Sequence, residues 1–191
     1  IPAAHSPNEV VHFDYIFTRK SPPEPQYVLT IIDGFSRFVW FMPHHSPNAE
    51  NTARALLQWF GLFGIVKSWV SDQGSHFHFL NCVVDHLREL LGANHRFTTA
   101  YAPWSNGLVE RVGKTLKGTL SALISETKRR PEDWPLFLPV VNNIINHSPS
   151  SALGDRCPIT AFTGRKADSP LDVIFSPTGA ERLPLSVDDV K

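Results

Sequence analysis

Asp14 interrupts an apolar, strand-like run from Val10 to Phe17, VVHFDYIF. An ionised carboxylate inside such a run requires a partner or a metal ion. Asp72 ends a second apolar segment, in WVSDQGSHF, and is followed at once by Gln73 and Gly74. An acid at a strand end before a glycine turn faces a cleft more readily than a core. The third acid, Glu110, lies in YAPWSNGLVERVGKTLK, Tyr101 to Lys117. There Val109, Val112, Leu116, Leu120 and Leu123 recur at helical spacing, which leaves Glu110, Lys114 and Lys117 together on another face. Three carboxylates are hard oxygen donors suited to a divalent cation, and the neighbouring lysines suit an anionic substrate. Taken alone, Glu110 and Lys114 are equally a solvated ion pair contributing about 0.3–0.5 kcal/mol.

The elements that must position these groups follow from local pattern. After Asp14, the polar, proline-rich Thr18 to Gln26 is expected to connect two strands. Tyr27 to Ile32 and Phe38 to Met42 read as strands joined by Asp33-Gly34-Phe35-Ser36-Arg37. Asp33 also follows an apolar strand, but its glycine neighbour assigns it to the turn, with Arg37 as a partner. A helix is expected from Pro47 to Phe63, ended by Gly61 and Gly64, then a short buried strand from Ile65 to Ser71, implying a β-α-β crossover. Leu80 to Leu91 reads as a helix with Asp85 and Glu89 solvated, and Asn94 to Thr99 as a fifth strand. The Tyr101 stretch reads as a turn, with Ser105, Asn106 and Gly107 launching a helix near Asn106 or Gly107. Trp134 to His147 makes a last packing helix. The order is βββαβαβαα, an α/β chain with a core over residues 1–150 and a partly irregular extension or linker over 151–191.

Composition excludes several classes. The chain has 191 residues and ordinary apolar and charged fractions, enough for one globular core. Its formal net charge is zero, unlike a stand-alone basic nucleic-acid binder. Basic residues instead concentrate locally: Arg111, Lys114, Lys117, Lys128, Arg129 and Arg130 face only Glu126 as an opposing charge between Arg111 and Arg130. Cys82 and Cys157 lack ligand spacing and give no disulfide framework. The pairs His44-His45 and His76-x-His78 lack partnered cysteines, so zinc is not expected. No apolar run reaches the about 20 residues of a membrane span, so a soluble, intracellular protein without membrane contact is expected. The chain opens at Ile1 without a methionine, which suggests a piece of a longer polypeptide.

HFDYIF, YVLTIIDGFSRFVWFMP, SDQGSHF and YAPWSNGLVERVGKTLK together resemble the catalytic core of retroviral-type integrases, most like those of gypsy-type LTR retrotransposons. WPLFLPVVNNIINHSP and ALGDRCPITAFTGRK resemble the family's closing helix and the strip beyond it, so the likeness runs from about Val10 to about Lys166. Asp72 and Glu110 are separated by 37 residues, slightly more than the retroviral pattern. The resemblance implies an RNase H-like fold, a mixed five-stranded sheet flanked by helices. It implies Asp14, Asp72 and Glu110 as catalytic metal ligands for two Mg2+ or Mn2+ ions. It also implies Tyr101, Ser105, Asn106 and Gly107 as contacts to a DNA end, with Lys114 and Lys117 beside them, although Trp104 stands where a glutamine is usual. The implied activity is a divalent-metal-dependent endonuclease and strand transferase joining element ends to target double-stranded DNA, as a homo-oligomer, in the nucleus after a possible cytoplasmic particle stage. In the family a zinc module precedes this core, and it is absent from this sequence. The alternative is a domesticated relative that binds DNA or protein without catalysis. A hybrid-cleaving RNase H fits the fold but not YAPWSNGLVER.

Overall fold

A computed structural model describes residues 4–18, 25–71 and 103–167, with backbone alone for 49 and 103–106. Strands β1 (Val10–Phe17), β2 (Tyr27–Asp33) and β3 (Val39–His44) form an antiparallel meander, and β4 (Ser68–Val70) joins parallel to β1, giving the order β3-β2-β1-β4. The β1–β2 connection is closed by Thr18, whose N–H and Oγ1 both donate to the Gln26 carbonyl at 2.9 and 2.8 Å. The register sets Val11 opposite Asp33 and Asp14 opposite Thr30, while on the other side His12 faces Val70 of β4. The four strands described match the expected opening and crossover. The fifth expected strand, Asn94 to Thr99, and the helix Leu80 to Leu91 lie outside the described residues.

Between β3 and β4 runs α1 (Ala49–Phe63), started by the Asn48 side chain, which accepts from the Asn51 N–H at 2.8 Å, and stopped by Gly64 at φ 88°. That positive φ is readily reached by glycine. β4 is shorter than the strand expected over Ile65 to Ser71. Ile65 is half exposed, and Lys67 has already turned its N–H to the Asn8 carbonyl at 2.9 Å.

The sheet is covered on both faces. On one, Val11, Phe13, Leu29 and Ile31 pack under Ala53, Leu56 and Trp59 of α1. On the other, Val28, Ile32, Val39 and Phe41 pack under Leu108, Val109, Leu116 and Leu120 of α2 (Pro103–Thr127) and under Leu138 and Val141 of α3 (Leu138–His147). The long helix begins at Pro103, earlier than the Asn106 or Gly107 start expected. Proline's fixed φ and missing N–H suit a first helical turn, so it opens the helix here. Glu110 is consequently two turns in rather than in the first.

The expected single helix from Trp134 to His147 is two pieces, a 3-10 turn at Pro131–Phe137 and then α3. Pro135 and Pro139 lack the N–H donors that a continuous α ladder would use. Its buried positions are Leu138, Val141 and Asn146, whereas Val140 and Ile144 are exposed. Asn146 replaces an apolar contact with two hydrogen bonds to the edge strand: its Oδ1 accepts from the Val39 N–H and its Nδ2 donates to the Val39 carbonyl, both at 2.8 Å. Packing also continues past residue 150. In α4 (Pro158–Thr163), Phe162 stacks on Phe38 with ring centroids 4.7 Å apart.

Candidate functional site

Side chains alternate along β1, so His12, Asp14 and Ile16 share one face. That face meets α2 closely: a Cβ added at Gly113 would stand 3.1 Å from Ile16 Cδ1. Farther along the helix, Lys117 lines a cleft of about 480 Å³ with Thr18, which lies just past the end of β1, and with Trp134. Helix and strand therefore run in the same sense. Three residues back from Gly113 is about 4.5 Å of helix, and two residues back from Ile16 is about 6.6 Å of strand. Glu110 thus lies on the side of the sheet that carries Asp14, level with that part of β1.

Asp14 is half-exposed, and its Oδ1 accepts from the Tyr15 N–H at 2.7 Å; Glu110 is exposed. Asp72 lies outside the described residues. β4 nevertheless delivers the chain toward it, because Val70 pairs in parallel with His12, and each acid is two residues farther along its own segment. Among the described residues no three His, Cys, Asp or Glu gather as a metal-holding group. The donors that are described, two carboxylates on one side of the sheet, suit a hard cation such as magnesium.

The remaining expected site residues divide. Lys114 and Lys117 are exposed on α2, and among the described residues neither pairs with Glu110. Gly107 is half-buried inside the helix and its carbonyl accepts from Arg111 Nε at 3.0 Å. Ser105 and Asn106 have helical backbone rather than the turn expected, because the helix already starts at Pro103. Tyr101, His76, His78 and Cys82 lie outside the described residues.

Asp33 holds the turn. Its side chain is fully buried; Oδ1 accepts from the Asn8 N–H at 2.8 Å, and Oδ2 accepts from the Ser36 N–H and Oγ at 2.7 and 2.6 Å. Arg37 meets it through the backbone, its N–H donating to the Asp33 carbonyl at 2.9 Å. His12, Arg37 and Arg111 were not singled out as a group by spacing, since they come from three distant segments. Burial first, and then the Arg37 guanidinium, push the His12 ring down to about 4, which keeps it neutral near pH 7. Desolvation, followed by the charge of Arg111, lowers Arg37, and Asp33 opposes this.

A mixed sheet with helices on both faces, bearing an acid on the first strand and another on a helix beside it, is the RNase H-like architecture of integrase catalytic cores. The catalytic core of HTLV-2 integrase solved with magnesium in trimeric form superposes with a TM-score of 0.65 at 18% identity, covering 82% of this chain and 97% of that one. A simian T-cell lymphotropic virus intasome in complex with PP2A regulatory subunit B56 gamma gives 0.71 at 21%, covering 88% and 59%. In sequence, the Gag-Pol polyprotein of feline leukemia virus is 34% identical over 141 residues, 72% of this chain and 8% of that polyprotein. The Pro-Pol polyprotein of simian foamy virus type 1 is 35% identical over 144 residues, 73% and 12%. The chain therefore spans only a small part of these relatives. The chain belongs to the integrase core domain family, which matches residues 4–103.

Proposed function

We propose that this chain is the catalytic core of a DNA integrase, of gypsy type, that processes retroelement DNA ends and transfers them into target double-stranded DNA. The observation that carries the reading is the parallel pairing of β1 with β4, His12 opposite Val70, with Asp14 and Asp72 each two residues farther along in sequence. With Glu110 on the same side of the sheet as Asp14, the three acids are the ligands for two Mg2+ or Mn2+ ions. Held by these carboxylates, the ions would supply Lewis-acid stabilisation of the charge that builds up in displacement at phosphorus. The HTLV-2 integrase core was solved in complex with magnesium, which supports the choice of metal.

The chain's own residues bind and orient the DNA. Lys114 and Lys117 extend from the exposed face of α2 to phosphates, and Tyr101, Ser105, Asn106 and Gly107 border the DNA end at the start of that helix. Exposed Leu136, Val140 and Ile144, spaced four apart, offer an apolar stripe to a second copy, consistent with a homo-oligomer. Residues 1–150 form the core together with α4, the remainder is an extension, and the place of action is the nucleus. The test is cleavage and strand transfer of DNA ends in manganese or magnesium, compared with cleavage of an RNA·DNA hybrid. Metal-dependent joining of DNA ends is the expected result. Binding of DNA without turnover would instead establish a non-catalytic module, and preference for the hybrid would establish an RNase H.

A further inference from the structure

β3 ends the described sheet, and Val39 to His44 pair with β2. The Phe38 and His44 carbonyls accept from the Asp33 and Gln26 N–H groups at 2.9 and 3.1 Å. Main-chain groups alternate between the two sides of a strand, so those of Val39, Phe41 and Pro43 turn away from β2. The run Phe38-Val39-Trp40-Phe41-Met42 is apolar, rich in β-forming residues and free of charge. A bare edge of such composition is a template for a strand from another molecule, and a proline or a covering helix blunts it.

α3 lies along this edge and meets it group by group. Asn146 Oδ1 accepts from the Val39 N–H, and its Nδ2 donates to the Val39 carbonyl, both at 2.8 Å. These are the two bonds that a residue of a neighbouring strand would make, since a side-chain amide carries the acceptor and donor of a peptide group. One turn earlier, Asn142 Oδ1 accepts from the Phe41 N–H at 3.1 Å. Four residues of helix rise about 6 Å and two residues of strand about 7 Å, so asparagines four apart keep pace with strand residues two apart. The next rung by this count pairs Leu138 with Pro43. Leucine offers no amide, and proline has no N–H that needs one. The ladder ends where the strand stops requiring it. Val39, Phe41 and Asn146 are buried, so water does not substitute for these bonds.

We propose that α3 is a surrogate strand, with Asn142 and Asn146 closing the β3 edge against strand addition by a second copy of this chain. The strand kept out is another β3, whose Arg37–Met42 segment has the same uncharged, β-forming run. Association is thereby left to side-chain surfaces, among them the exposed Val140 and Ile144 of the same helix. The device depends on the sheet and the helix alone, and it stands whether or not the chain joins DNA.

The test compares the full wild-type chain with Asn142→Asp, Asn142→Leu and the double variant Asn142→Leu with Asn146→Leu. Two measurements are made: amide hydrogen exchange, and capture of a labelled peptide of the Arg37–Met42 sequence. In the double variant the Val39 and Phe41 amides are expected to exchange about tenfold faster or more, while the Ile31 amide of β2 keeps its wild-type rate. That variant should also capture the peptide and self-associate in sedimentation velocity, with the peptide competing. It should not capture the same peptide N-methylated throughout, which cannot donate to a strand edge. Wild type should capture neither. Asn142→Asp keeps the acceptor and is expected to behave as wild type. Asn142→Leu, at a half-buried position, should free the Phe41 amide alone, and it keeps the test valid if the double variant does not fold. Faster exchange without capture overturns the proposal, because the asparagines would then only satisfy buried main-chain groups. Equal capture of the N-methylated peptide, or capture by wild type, overturns it as well.

Discussion

On the α1 face of the sheet, Trp59 contacts Phe38, Phe63 and Phe162 at centroid distances of 4.7–6.0 Å, and its Nε1 donates to Asn8 Oδ1 at 2.9 Å. On the α2 face the core is mainly aliphatic, and the same face carries His12, Asp14 and, across from them, Glu110. Aromatic packing has many simultaneous partners and little tolerance for a charge; the α2 face leaves its rim open to solvent. Both faces bury a core, but only the α2 face also carries His12, Asp14 and Glu110. That contrast makes distinct demands on substitutions at the two faces.

The largest effect belongs to the acids. Asp72→Asn, and likewise Asp14→Asn, is expected to abolish end cleavage and strand transfer while DNA affinity in calcium falls little. Turnover retained within about tenfold of wild type would take that acid out of the site. Trp59→Ala should do the converse, lowering stability by about 3–5 kcal/mol, read by denaturant unfolding. If Trp59→Ala instead proved benign, the aromatic face would not be the folding core that its burial indicates.

Asp33 sharpens the comparison, because it too is an acid at the end of an apolar strand. Asp33→Asn keeps the shape but turns an NH2 donor toward either the Asn8 or the Ser36 N–H, so a loss of about 1–3 kcal/mol is expected with no change in metal response. A weakened metal response would make Asp33 a ligand rather than the anchor of a turn. Next in size, replacing Lys114 and Lys117 together by Glu should weaken DNA binding and lower the salt slope by about two units. An unaltered slope would return both lysines to a solvated helix face.

Much of this division is legible in the chain itself. The apolar run of β1, the Asn48 cap and Gly64 stop of α1, and the helical spacing after Gly107 are local signals, and they give the right elements in the right order. Three features are not local. Asn146 is polar at a position that helical spacing alone does not mark as buried, and only the edge of β3 explains its burial. Phe162 lies beyond a proline- and serine-rich stretch, yet completes the aromatic face. Gly113 and Ile16 are distant in sequence, and only the sheet register and the close packing of α2 on β1 bring them together. The position of Asp14 in β1 was readable because a carboxylate within an apolar run is conspicuous, whereas Asp72 lies outside the described residues. The early start of α2 was not, because Pro103 serves equally to end a strand and to open a helix.

The smallest effect tests whether the acids converge, and it needs no substrate. If Asp14, Asp72 and Glu110 approach one another without metal, their like charges disfavour joint ionisation and strain the empty fold. Glu110 makes no ion pair with Lys114 among the described residues, so its removal forfeits little. Glu110→Gln should therefore leave the metal-free Tm unchanged or raised. Magnesium or manganese binds the folded state and stabilises wild type by mass action, and should stabilise the variant less. A solvated Glu110 predicts the opposite pattern, a slight loss of stability on substitution and the same metal response in both proteins. Equal metal-induced shifts in Tm would remove Glu110 from the site, and with it the convergence of β1, β4 and α2 on which the chemistry depends.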